Sequence, residues 1–131
     1  MSYSMHTNDK FIRVIYEGTL ENNDIHGALK DALITGGNKL NLFHRLEDLR
    51  NLKETNIGFT ELRGFTDKLR NIQLPQKVKS AILTSNPLQY GIARMFQSIL
   101  DHPQVEVAIF SNEDEAHNWL SAVDGTKSKI K

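Results

Sequence analysis

The second half of the chain alternates between two spacings of apolar residues. Short, nearly continuous apolar runs predict β-strands over residues 78–84 and 105–110. Apolar residues that recur three and four positions apart predict amphipathic helices over residues 88–100 and 113–123. This order of strand, helix, strand and helix predicts parallel strands joined by helical crossovers.

Both of these helices are preceded by residues that favour a helix start. Pro87 suits the first helical position, because its missing N–H would have no intrahelical partner there, and Asn86 or Ser85 is the predicted cap. Asn112 and Glu115 have the spacing of a capping box. Each helix is therefore predicted to begin directly after a strand.

The beginning of the chain predicts a hairpin followed by a helix. Residues 11–16 are rich in β-branched and aromatic side chains, and Asn8-Asp9 predicts a turn after a short strand at residues 3–6. We expect Gly18 and the cluster at residues 22–24 to end the second strand. The cluster at residues 22–24 then predicts an N-cap for a helix whose apolar positions are Ile25, Ala28, Leu29, Ala32 and Leu33, with an end at residues 36–38.

The middle of the chain has a weaker pattern. Residues 39–46 predict a strand whose second half is too polar to be buried on both faces, so we expect an exposed end there. Residues 49–59 show no clean period. A further helix is predicted from Leu62, Phe65, Leu69 and Ile72, with Pro75 ending it. The whole pattern predicts an α/β fold with a mixed, mainly parallel sheet of about five strands, an antiparallel opening hairpin and about four helices.

Length and composition favour a single domain. The 131 residues are 39% hydrophobic, which suffices for one continuous core. We assign the domain to residues 1–124. Residues 125–131 form a basic tail, which we interpret as a flexible, solvated terminus, the alternative being an electrostatic contact for anionic partners.

Charge and residue types exclude several classes of function. Sixteen basic residues balance sixteen acidic ones, so the positive field typical of nucleic-acid-binding proteins is missing. No apolar stretch has the length of a membrane span, and the first residues do not resemble a secretion signal. The chain has no cysteine, which excludes disulfides and thiolate chemistry and fits a cytoplasmic protein.

The remaining titratable residues do not predict a catalytic or metal site. Of the five histidines, only His117 has a carboxylate, Glu113, at the i, i+4 spacing, and we interpret the two as a helix-surface pair. Glu47 and Asp48 are adjacent, so in a strand they point to opposite faces and do not form an acid pair. We therefore expect no metal, no cofactor and no enzymatic activity.

In this arrangement the chain resembles the STAS-like family, the sulfate-transporter and anti-sigma-factor-antagonist fold typified by the stage II sporulation AA protein. The likeness is to stand-alone bacterial members of mostly uncharacterised function. It is carried by a hairpin that runs into Glu17-Gly18-Thr19-Leu20 and by four later segments, at residues 81–84, 90–96, 105–110 and 115–120. It implies one α/β domain with a regulatory role.

Regulators of that family carry a phosphoacceptor serine in an Asp-Ser-Ser-Gly turn between a strand and a helix. The corresponding residues here, 54–60, lack this motif. Thr60 is the remaining candidate for phosphorylation, because a phosphate would be stabilised at a helix start; the alternative is an ordinary N-cap hydroxyl.

The turn at Thr84, Ser85 and Asn86 is the predicted ligand or partner site. A helix start at the carboxyl end of a parallel strand offers N–H donors to a small anion, although Ser85 and Asn86 have the alternative role of capping their own helix. Tyr90 is a candidate for an apolar contact. Arg94, two turns along the helix, is a candidate for a carboxylate or an anion, with a solvated side chain as the alternative.

We therefore expect a non-catalytic STAS-like regulatory or interaction module that binds a protein partner or itself. The alternative hypothesis is a carrier or sensor of a small anionic or apolar ligand that uses the turn at residues 84–86. Trp119 is predicted to anchor the last helix in the core. Neither hypothesis includes nucleic acid or insertion into a membrane.

Overall fold

One mixed sheet organises the protein. A computed structural model describes residues 3–7, 11–30, 44–71, 73 and 77–122. The elements in chain order are β1 (Tyr3–Thr7), β2 (Phe11–Leu20), α1 (Asn22–Lys30), β3 (His44–Thr55), α2 (Phe59–Arg70), β4 (Val78–Leu83), α3 (Pro87–Ile99), β5 (Val105–Phe110) and α4 (Glu113–Ser121). The strand order is β1-β2-β3-β4-β5, with β1 antiparallel to β2 and all other neighbours parallel. The predicted fold class is confirmed.

Strand β2 is longer than its sequence predicts. Gly18 does not end it, since the strand continues to Leu20. The pairing with β3 shifts register on both sides of this point, and Gly18 has a φ of 76°. A bulge with a residue in the left-handed region favours glycine, which explains how the strand passes through this position.

Strand β3 corrects the prediction for the middle of the chain. We expected a strand with an exposed end at residues 39–46, whereas β3 runs from His44 to Thr55 between β2 and β4. Its polar residues are accommodated because charges of opposite sign pair on each face: Arg45 Nε donates to Glu47 Oε2 at 2.7 Å, and Arg50 donates to Asp48. Burying a charge in a central strand is costly when the charge has no partner. Here each of these charges has a partner of opposite sign, so the polar residues are compatible with the strand.

Two apolar clusters lie on opposite faces of the sheet. Helices α2 and α3 cover the face whose buried residues include Ile12, Val14, Leu49 and Ile82. Helix α4 covers the other face. Its cluster consists of Phe11, Leu46, Ala81, Leu83, Ala116 and Leu120.

Helix α3 begins as predicted, and Ile92, Phe96 and Ile99 of its apolar stripe pack against the core. Asn86 is its N-cap, and the side-chain oxygen accepts from the Gln89 N–H at 3.0 Å. Leu88, the first apolar residue of this helix, is 39% exposed, whereas Gln89 and Ala93 are buried. Asn112 likewise caps α4 by accepting from the Glu115 N–H at 2.9 Å.

A buried lysine holds the C-terminal end of α4. Lys79 is 3% exposed, and its Nζ donates to the carbonyl oxygens of Trp119 and Ala122, both at 2.8 Å. The same ammonium lies 5.3 Å from the centre of the Trp119 ring. A cation at the last carbonyls of a helix is favourably placed in the field of the helix dipole.

Trp119 is only partly buried, against Phe110 and Lys79, although we expected a core anchor. We therefore expect Trp119→Ala to lower the free energy of unfolding by about 3 kcal/mol, the low end of the range for large core aromatics. Thermal or urea unfolding with Asn118→Ala as an exposed control measures this. Unchanged stability would show that the ring does not anchor α4.

Several predicted features lie outside the described residues. These are the turn at Asn8-Asp9, the end of the first helix at residues 36–38, the first residues of the strand predicted at 39–46, the helix-ending residues Ile72 and Pro75, and the tail at residues 125–131.

Candidate functional site

The carboxyl edge of the sheet brings two helix starts together. Because β3 and β4 are parallel neighbours, the turns that lead into α2 and α3 leave the sheet on the same side. The two helices pack against each other further along, where the Phe65 and Phe96 rings are 6.0 Å apart. In open α/β sheets this edge is the usual place for binding sites.

The predicted turn at Thr84, Ser85 and Asn86 lies at this edge, and the chain itself occupies most of its donors. The Ser85 N–H donates to Gln89 Oε1 at 2.7 Å, and the Ser85 hydroxyl lies 3.1 Å from the same oxygen. Buried Thr84 donates its N–H to the Phe110 carbonyl at 3.0 Å. Asn86 caps α3. The alternative role as a helix cap is therefore observed for Asn86.

The side chain of Gln89 links this turn to strand β3. Its Nε2 donates to the carbonyl of Leu52 in β3 at 2.9 Å, while its oxygen accepts from Ser85. The side chain thereby ties the start of α3 to the central strand. The place where a small anion would accept from Ser85 is filled by an internal amide oxygen.

Tyr90 and Arg94 have different surroundings. Tyr90 is 51% exposed in the first turn of α3. Arg94 is also exposed, and its guanidinium donates to Gln97 Oε1 on the same helix. The structure thus gives Arg94 a partner within its own helix and leaves Tyr90 as an apolar surface residue.

Among the described residues, the large apolar side chains that are exposed belong to the starts of α2 and α3, and we call them the apolar edge patch: Phe59, Leu88 and Tyr90. Phe59 is 52% exposed as the first residue of α2, and Arg63 lies one turn further on with its guanidinium carbon 6.0 Å from the Phe59 ring centre. Leu88 and Tyr90 belong to the first turn of α3. An exposed apolar group of this kind is typical of an interaction surface.

Thr60 is not the N-cap of α2, so the expected role as a capping hydroxyl is wrong. Gly58 occupies the N-cap position, and its N–H donates to Glu61 Oε1 at 2.9 Å. Thr60 is an exposed residue of the first helical turn. Phosphorylation of Thr60 stays a prediction.

A network of four charged residues lies on the other face of the sheet, at the N-terminus of α4. Buried Asp48 accepts from Arg13 at 3.0 Å and from Arg50 at 2.9 Å. Glu113, the first residue of α4, accepts from both arginines at 2.8 Å. The network therefore joins β2, β3 and α4 with charges that balance.

The pKa values in this network stabilise its ionised form. Hydrogen bonds from Arg13, with further ones from Arg50 and His117, lower the pKa of Glu113 to about 2 against the opposing effect of burial. Burial alone would raise the pKa of Asp48, but the hydrogen bonds and charge of Arg50 and the charge of Arg13 lower it. Both carboxylates remain charged at neutral pH.

Sequence reasoning found only one part of this network. The predicted surface pair of Glu113 and His117 is present, with His117 Nε2 3.1 Å from Glu113 Oε2. Arg13 was not identified, because its partners lie 35 and 100 residues away along the chain. The usable signal was the alternation of charges in β3, where Asp48 and Arg50 share one face.

Within the described ranges, no three side chains of His, Asp or Glu are grouped so that they could hold a metal ion. None of the helices described there combines the length and the apolar character that crossing a membrane requires.

The fold has a counterpart among solved structures. No family model matches the chain, and no curated protein matches it. A crystal structure of an uncharacterized protein of the DUF3478 family from Shewanella loihica, described as having a SpoIIAA-like fold, is similar over 90% of this chain and 91% of that chain. The sequence identity is 17% and the TM-score is 0.58, so the likeness concerns the fold. The chain has the SpoIIAA-like, or STAS-like, fold that its sequence resembles.

Proposed function

We propose that this protein is a non-catalytic interaction module of the cytoplasm that binds a protein partner through the apolar edge patch. The exposure of Phe59, Leu88 and Tyr90 at one edge of the sheet is the observation that carries the proposal. Leaving these side chains in water forgoes the stabilisation that burial would give, about 2 kcal/mol for a large apolar side chain. A protein surface that covers them recovers that free energy.

The chemistry of the patch favours a protein over a small ligand. Aromatic residues and arginine are enriched at protein interfaces, and Phe59 with Arg63 provides both. The N–H and hydroxyl of Ser85, which a small anion would need, are engaged by Gln89. A partner that contributes apolar side chains fits what is exposed.

The test compares the wild-type protein with a variant that carries Phe59→Ala, Leu88→Ala and Tyr90→Ala. All three side chains are exposed, so we expect the fold to be kept, while affinity for a partner retained by the wild-type protein falls by at least about thirtyfold. Affinity capture followed by titration of the captured protein measures this. The matched control carries Lys68→Ala and Asn118→Ala, two substitutions of exposed residues outside the patch.

A labelling experiment locates the contact. Because the chain has no cysteine, Tyr90→Cys provides a single thiol for a photoactivated cross-linker. We expect cross-links to the captured protein from position 90 and none from Asn118→Cys. Equal capture by the wild-type protein and the triple variant, or a wild-type protein that stays monomeric and retains no partner, would contradict the proposal.

A further inference from the structure

Among the strands that the structure describes, β5 is an edge strand, and its sequence is unusually apolar. Five of its six residues are apolar and only Glu106 is charged. All five apolar side chains are only partly buried. A short strand of this composition without proline or glycine favours pairing with another strand and is an association hazard when its edge is open.

The register shows which backbone groups face that edge. Val78 donates to the Gln104 carbonyl and Thr84 to the Phe110 carbonyl, so the even-numbered residues of β5 bond to β4. Backbone groups alternate in direction along a strand, so those of residues 105, 107 and 109 point away from β4. Val105 donates its N–H to the His102 carbonyl in the preceding turn. Val107 is thus the middle residue of the open edge.

A side chain from α3 occupies this middle position. Gln97 Nε2 donates to the Val107 carbonyl at 3.1 Å, and Arg94 donates to the oxygen of the same amide. Any strand that uses more than one of the three outward residues needs the backbone groups of Val107. The amide of Gln97 therefore lies where a further strand would have to pair.

We propose that Gln97, oriented by Arg94, protects the edge of β5 from antiparallel pairing with β5 of a second copy of this chain. A second copy is the fitting occupant because a two-fold arrangement centred on Val107 or Ala108 places Glu106 opposite an apolar residue and avoids a like-charge pair. This contact is separate from the apolar edge patch and does not depend on the proposed function.

The test removes the amide while keeping the helix. Gln97→Ala is expected to associate at a protein concentration at least about tenfold lower than the wild-type protein does. Ser98→Ala is the matched control, since its exposed hydroxyl donates to the Met95 carbonyl within the helix. Gln97→Lys should restore the wild-type behaviour, because lysine supplies both a donor and a charge at the edge. Sedimentation over a range of concentrations measures association.

Hydrogen exchange identifies the surface involved. In associated Gln97→Ala, the amides of Val107 and Ile109 should exchange more slowly than in the dilute protein, while those of the first turns of α2 and α3 should be unchanged. Identical concentration dependence of Gln97→Ala and the wild-type protein would overturn the proposal. Association without slower exchange at Val107 and Ile109 would also overturn it.

Discussion

Asp48→Asn is expected to lower the free energy of unfolding by about 3 kcal/mol, because it removes a buried charge that two arginines share. The substitution keeps the shape of the side chain, so packing is little changed. In the variant, Arg13 and Arg50 still pair with Glu113, and both guanidinium groups are partly exposed to water. We therefore expect an effect at the low end of the range for a broken buried pair. Urea unfolding measures the change, and Glu54→Gln, an exposed carboxylate on the same strand, serves as the control with an expected effect below about 0.5 kcal/mol.

The dependence of stability on pH provides the second readout for Asp48. The pKa values of Asp48 and Glu113 are lower in the folded protein than in the unfolded chain, where carboxyl groups titrate near pH 4. Their contribution is therefore present above about pH 5 and is lost as pH falls through the lowered pKa values of the folded protein, about 2 for Glu113. Asp48→Asn should show a smaller loss of stability in acid. An acid dependence equal to that of the wild-type protein would contradict the assigned role.

Gln89→Met is expected to lower the free energy of unfolding by about 3 kcal/mol, although methionine has a similar shape and is less polar. Gln89 is fully buried and bonds to Ser85 and Leu52, so the substitution leaves the buried Leu52 carbonyl and the Ser85 N–H without their partner. The same exchange at exposed Gln73 should change stability by less than about 0.5 kcal/mol. Chemical denaturation of the two variants measures the difference.

A stability of Gln89→Met close to that of the wild-type protein would show that the amide contributes little to the turn. Sulfate added to the variant tests whether loss of the Gln89 amide creates an anion site. If the freed Ser85 N–H and hydroxyl donate to an anion, sulfate will raise the melting temperature of Gln89→Met more than that of the wild-type protein. Equal responses would show that removing the amide does not create an anion site.

The strands and helices with strong local signals were predictable. The elements from β4 to α4 agree closely with the spacing of their apolar residues, because each buries one regular face and begins at a recognisable cap. Strand β3 was not predictable from local pattern, since the suitability of Asp48 for a buried strand depends on Arg13, which lies 35 residues earlier. The bulge at Gly18 was not predicted for a related reason, because a bulge depends on the register between the strand and its partner strand.

The candidate site was predicted in part. Tyr90 was identified from its place after the turn, and Asn86 was identified as a cap. Phe59 was missed, since an exposed aromatic residue cannot be told from a buried one by spacing at the first position of a helix. Gln89 was missed because a polar residue within an amphipathic pattern is normally assigned to the solvent.

The position of α4 has a consequence for the order in which the chain folds during synthesis. Leu46, Ala81 and Leu83 form an apolar surface that is covered by residues 116 and 120, which emerge from the ribosome after all the described strands. Arg13 and Arg50 hold Glu113 at the start of this helix, and Lys79 holds the carbonyls at its C-terminal end. The charges of Glu113 and Lys79 match the helix dipole, so the late segment is electrostatically directed into one orientation. A nascent chain that stalls before residue 113 would present one bare apolar face to chaperones.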